Sequence, residues 1–131
     1  MKVIIAGSRS ITDYDLVCNA IALSGFDVTE VVSGCADGVD KIGEWWAIRY
    51  AVTLTQMPAN WGDISHPKAV VRIRRDGTKY NVLAGYWRNE EMAKYVGSEG
   101  GLILVHRNSG GSLNMKEQAV KYGLSIYEKI V

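Results

Sequence analysis

The chain is poor in the residues that staple or metallate small proteins: its 131 residues include two cysteines, two histidines, two prolines and one phenylalanine. Cys18 and Cys35 form no CxxC pair. That excludes a disulfide framework and points to free thiols in a reducing, cytoplasmic setting. His66, His106 and the scattered carboxylates follow no ligand spacing, so no metal site is expected, and a Mg²⁺ would come only with a phosphate ligand. A surplus of one charge is missing too. Fifteen Lys and Arg against 14 Asp and Glu leave +1, too little to draw the whole molecule to nucleic acid or an acidic membrane. Any anion must therefore be held locally. Long apolar runs are absent as well: the first, Val3 to Ala6, is far too short for a signal or membrane segment, and no membrane association is expected.

What the chain does hold is an alternation of short apolar runs and helical periodicities. Its composition is ordinary for a globular protein, 47% hydrophobic and 22% charged, and its length suits one domain over residues 1–131. Val3 to Ala6 reads as a buried strand, followed by Leu16, Val17, Ala20 and Ile21 at helical spacing between an N-cap at Thr12 or Asp13 and a stop at Gly25. Val28 to Val32 is a second strand. Val39, Ile42, Trp46 and Tyr50 then share one helical face, and Val52 to Met57 makes a third strand. Here the alternation breaks, because Asp76-Gly77 between the β-prone runs Lys68 to Arg75 and Thr78 to Leu83 predicts a hairpin inserted over residues 68–83. A helix from Trp87 or Arg88 to about Val96, a strand over Leu102 to Val105, a helix over Leu113 to Tyr122 and a last strand over Leu124 to Val131 complete the chain. The expected class is α/β, a single Rossmann-like doubly wound parallel sheet of about five strands in the order 3-2-1-4-5, with an inserted β-hairpin.

In such a sheet the ligand lies outside the carboxyl ends of the strands, where the strand order reverses. Three glycine- and serine-rich loops should meet there, each preceding a helix whose N–H groups favour an anion. They are Gly7-Ser8-Arg9-Ser10, the turn from Ser33 and Gly34 through Cys35 to Asp37 and Gly38, and Arg107 to Ser112. Arg88 and Asn89 should reach the same rim, and Arg9 with Arg88 would supply two cations for a phosphate or pyrophosphate. The expected ligand-binding residues are Gly7, Ser8, Arg9, Ser33, Gly34, Asp37, Gly38, Asp40, Arg88, Asn89, Ser109, Gly110, Gly111 and Ser112.

Gly7-Ser8-Arg9, Ser33-Gly34-x-Ala36-Asp37-Gly38-Val39-Asp40, Ala47, Ala84-Gly85-x-x-Arg88-Asn89-x-x-Met92 and Ser109-Gly110-Gly111-Ser112 together resemble the YspA/YpsA-like branch of the SLOG superfamily, which joins DprA (SMF) and LOG Rossmannoid proteins. The resemblance spans nearly all the chain apart from the hairpin. It implies a Rossmann-like domain that binds nucleotides or nucleotide-derived molecules, with roles in sensing or processing them. The LOG enzymes cleave a nucleoside monophosphate at its N-glycosidic bond and carry Pro-Gly-Gly-x-Gly-Thr-x-x-Glu in the last loop. This chain has Ser109-Gly110-Gly111-Ser112-Leu113-Asn114-Met115-Lys116-Glu117 there, so that catalytic carboxylate does not carry over.

The leading expectation is a sensor or sequestering module for a nucleotide-like small molecule. The first alternative is a hydrolase of a nucleotide or nucleotide sugar, whose carboxylate candidates are Asp37, Asp40 and Glu44 with Arg9 and Arg88 as clamps. Against it, Asp37 and Asp40 suit a helix cap or a ribose hydroxyl, and Glu44 is expected to face solvent. Whether the chain is an enzyme stays open. Cys35 lies near a helix opening that would favour a thiolate, but no histidine stands near it in sequence. The second alternative is a single-stranded nucleic-acid-binding accessory protein. It rests on Lys68, Arg72, Arg74, Arg75 and Lys79 in the hairpin, with Tyr80 and Trp87 nearby, and is weaker than reading these charges as protection of a sheet edge. Trp45 and Ile48 fall off the inward helical face and, with the resemblance, suggest a homo-oligomer, a dimer or higher.

Overall fold

The computed structural model describes residues 1–131. Strand β1 (Lys2–Gly7) is apolar through its middle because both of its faces are covered. Val3 and Ile5 point into one core, shared with Val17, Ala20 and Ile21 of helix α1 (Tyr14–Ser24) and Val39, Ile42 and Ala47 of α2 (Val39–Arg49). Ile4 and Ala6 point into the other, with Met92, Ala93 and Val96 of α3 (Ala84–Val96) and Met115 and Ala119 of α4 (Gly110–Lys121). Alternation along one strand thus assigns two helices to each face.

The sheet is wholly parallel. Strands β2 (Glu30–Ser33) and β3 (Thr53–Gln56) extend it on one side of β1, and β6 (Gly101–His106) and β7 (Ser125–Ile130) on the other. The observed order β3-β2-β1-β6-β7 is the expected 3-2-1-4-5 once the hairpin strands β4 (Val71–Ile73) and β5 (Lys79–Asn81) are set aside as a separate antiparallel pair. Gly77 occupies the turn at φ +89°. Strand order therefore reverses between β1 and β6, and that is where a crevice opens.

Helix ends account for most differences from expectation. Asp13 caps α1 by accepting a hydrogen bond from the Leu16 N–H at 3.2 Å, and Gly25 closes it at φ +71°. Helix α4 starts at Gly110 instead of Leu113, because a Gly-Gly-Ser first turn has poor intrinsic propensity and is held by contacts across the molecule. Helix α3 likewise starts at Ala84, three to four residues before the expected opening. Tyr50 is exposed instead of sharing the inward face of α2, since the helix ends at Arg49.

Candidate functional site

A cleft of about 520 Å³ lies over the carboxyl ends of β1 and β6. Ser8, at the end of β1, stitches its two sides together. Its Oγ accepts from the Arg107 N–H at 2.9 Å and lies 3.4 Å from the Ser109 hydroxyl, which donates to Ser112 Oγ at 3.0 Å. Behind this junction His106 is fully buried. Its Nδ1 accepts from the Asn108 N–H at 3.0 Å, so Nε2 carries the proton and donates to Glu128 Oε2 at 2.7 Å. Lys116 holds the other Glu128 oxygen at 2.9 Å, and both partners draw that carboxyl below its usual range. The chain pins Asn108 in the left-handed conformation at φ +59°. Cys35, on the opposing loop, is also left-handed at φ +63°, and both strained residues sit in loops at the sheet's carboxyl edge.

The α2 loop meets β1 through Gly38, whose missing Cβ leaves room for the carbonyls of Ser8 and Arg9. Gly38, at φ +75° and ψ −125°, is the N-cap of α2. Asp37 is exposed and makes no cap, contrary to the capping role expected for it. No side chain caps α2 or α4; the Val39 N–H of α2 donates to the Ser8 carbonyl at 3.4 Å, whereas the first turn of α4, which lines the cleft through Gly111 and Ser112, presents its N–H groups at this edge. The expected third helix end does not join it, because α1 begins beyond the loop and its N-terminus is satisfied by Asp13.

Arg88 lies between the loops. Its guanidinium donates to the Gly34 carbonyl and, through Nε, to Asn89 Oδ1 at 3.1 Å. Asn89 Nδ2 in turn donates to the Gly111 carbonyl at 3.3 Å and Asn114 Oδ1 at 3.0 Å, so α3 holds the first turn of α4. Gly34 is the point where Arg88 meets Asp40: a Cβ there would stand 2.7 Å from the Arg88 Cζ and 2.9 Å from an Asp40 carboxylate oxygen. Arg9 and Arg107 add two exposed cations at the rim, and Arg107 donates to Ser10 Oγ at 3.0 Å.

Of the residues expected at the ligand, Gly7, Ser8, Arg9, Asp40, Arg88, Asn89, Ser109, Gly111 and Ser112 line this cleft. Gly34 and Asp37 line a smaller neighbouring groove that also includes Arg9, Arg88 and Trp61. Ser33, Gly38 and Gly110 line neither. Ser33 is buried beneath the loop, accepting from the Cys35 N–H at 3.1 Å and donating to Glu44 Oε2 at 2.6 Å. Glu44 is consequently buried, not solvent-facing, and also accepts from Gln56 Nε2 at 2.9 Å. Burial, followed by this carboxylate, raises the Cys35 thiol pKa, so the thiolate expected from a helix opening is disfavoured.

Several wall residues escaped the sequence reading: Trp61, Val82, Tyr86 and Met115. Trp61 follows the carboxyl end of β3 and packs on Gly85, where a Cβ would lie 3.0 Å from its ring. The signal was its position after a strand on the binding edge.

Residues 1–63 match the family model described as YspA, cpYpsA-related SLOG family. That match covers just under half of the chain and supports the YspA-like SLOG branch. No curated protein and no solved structure matches it. The SLOG match takes in Gly7 to Arg9 and Ser33 to Asp40, while Arg88, Asn89 and the α4 loop lie outside it and are brought to the cleft by the fold. No helix is long and apolar enough to cross a membrane.

Asp40 is the one carboxylate on the cleft, and it is 4% exposed. Burial raises its pKa to about 6, against the opposing effect of Arg88 and hydrogen bonds from Ala36 and Gly7. The folded state thus holds the Asp40 proton more tightly than the unfolded chain, so this contribution to stability is complete below about pH 4 and is lost as pH rises through about 6. Urea melts should show Asp40→Asn gaining on the wild type by up to about 3 kcal/mol between pH 4 and 8. A difference that stays flat with pH would show that Asp40 titrates normally.

Proposed function

We propose that the cleft binds a nucleotide or nucleotide-derived small molecule by its phosphate, and that the protein acts as a sensor or sequestering module. One observation carries this: Arg9, Arg88 and Arg107 converge with the uncapped first turn of α4 on a single cleft walled by Trp61 and Tyr86. Cations and backbone N–H groups suit a phosphate, and aromatic faces suit a base. The volume, about 520 Å³, falls in the range of small-ligand sites. The buried Asp40 is placed to accept from a sugar hydroxyl. A Mg²⁺ would be carried by the ligand's phosphates, because a single carboxylate lines the cleft.

The test is a panel of nucleoside mono- and diphosphates followed by melting temperature and product analysis together. A melting shift without product is the expected result, and Arg107→Ala should reduce the shift for phosphorylated ligands while leaving the free nucleosides unchanged. No shift with any member of the panel would remove the proposal.

A hydrolase is the second reading, and Asp40 favours it. A buried carboxyl with a pKa near 6 in a cleft is suited to exchange a proton with water at neutral pH. Released base or phosphate, abolished by Asp40→Asn, would establish this reading over the first. A homo-oligomer remains part of the proposal through Trp45 (57% exposed) and Ile48 (70% exposed) on the outer side of α2. Sedimentation of the wild type against Trp45→Ser/Ile48→Ser should separate the assembled from the single chain.

A further inference from the structure

The net charge of +1 conceals a strong local imbalance. Residues 68–83 hold five Lys and Arg against one Asp, a net +4, so the rest of the chain carries −3. Pairing and stacking place two of these charges, Arg72 and Arg74, on one face. Arg72 stands opposite Tyr80 in the register, while Val71 pairs with Asn81 and Ile73 with Lys79 on the other face. Arg74 lies over the Tyr80 ring at 4.4 Å, and Tyr80 meets Trp61 edge-on with ring centroids 6.4 Å apart. Trp61 is itself a wall of the cleft. The hairpin is tied to this wall by the Asn81 N–H, which donates to the Trp61 carbonyl at 2.8 Å. Trp61, Tyr80, Arg74 and Arg72 therefore form one contiguous patch beside the cleft, in which the two aromatic rings touch each other and the two cations lie against Tyr80.

We propose that this patch is a track for single-stranded nucleic acid, whose end nucleotide occupies the cleft and whose following bases and phosphates lie along the hairpin. The inference deepens the nucleotide reading of the cleft and rests on it at Trp61. Stacked bases need aromatic faces with cations at the phosphates beside them, and this patch supplies both, Trp61 and Tyr80 for bases and Arg74 and Arg72 for phosphates. A membrane surface would draw instead on the other face, where a single cation, Lys79, stands beside Val71 and Ile73, whereas Arg72 and Arg74 lie with the aromatic rings.

The test is fluorescence anisotropy with labelled dT and U dodecamers between 50 and 200 mM salt, beside calorimetry with ADP. Both strands should bind, more weakly as salt rises. Replacing Arg72, Arg74 and Arg75 by Ala should weaken strand binding at least about tenfold and lower the salt slope by about 2, from three lost phosphate contacts. ADP binding should stay unchanged. The double variant R72Q/R75Q, which leaves Arg74 on Tyr80, repeats the comparison with the hairpin packing intact and should lose about two-thirds of that slope change. Tyr80→Ala should weaken binding and Tyr80→Phe should not.

The track is overturned if neither strand binds, if these variants bind as the wild type does, or if an abasic dodecamer, polyglutamate or phosphatidylserine vesicles bind as tightly. ADP binding without strand binding removes the track and keeps the cleft reading. Strand binding that the hairpin variants weaken, without ADP binding, removes the cleft reading and limits the proposal to the hairpin.

Discussion

Gly38→Ala should lower the melting temperature by roughly 15 °C, from a loss of about 4 kcal/mol. Two costs add. The backbone of Gly38 lies at φ +75° and ψ −125°, a region closed to a residue with a Cβ, and the added methyl would strike the carbonyls of Ser8 and Arg9. Those atoms are backbone, so they yield only if the loop after β1 moves away from α2. Gly77→Ala is the matched control, since Gly77 also has positive φ but open space around it, and it should cost about 1 kcal/mol. Equal losses at the two glycines, measured by thermal melts, would mean that close approach at Gly38 contributes nothing.

Removal of the Arg88 guanidinium is expected to have the largest effect on binding, weakening ADP about 100-fold by calorimetry. Arg88 is fixed before any ligand arrives by the Gly34 carbonyl and Asn89, so its orientation costs no further ordering. Arg88→Ala also leaves Asp40 buried beside Gly34 without its cation, and should therefore push the Asp40 titration above about 6. Arg88→Lys should recover little, because one ammonium cannot reproduce a planar fork between two fixed acceptors. Full affinity in the lysine variant would show that the charge matters and its geometry does not.

The architecture was legible because its signals are local. Fully apolar runs at Val3 to Ala6 and Leu102 to Val105 mark strands covered on both faces, and Gly25 and Asp76-Gly77 mark breaks that few other residues make. The loops of the cleft were legible for the same reason. What escaped depends on contacts between distant segments. Glu44 looks like an exposed helical residue until Ser33 and Gln56 are seen to enclose it. Helix α4 begins in a Gly-Gly-Ser turn that Asn89, from another helix, helps to hold. Trp61 is held in the wall by Asn81 and Tyr80 of the hairpin, a contact that no periodicity encodes.

The hydrogen bond from Arg107 to Ser8 joins residues 99 positions apart. Loop closure over such a distance is late and entropically costly, so β1 and its glycine turn emerge long before the partners that complete the pocket. A nascent or truncated chain ending before β6 has nothing with which to grip a phosphate from both sides. Ligand binding would consequently reward only completion of the whole sheet, raising the resistance of the finished chain to unfolding and proteolysis without helping its partial forms.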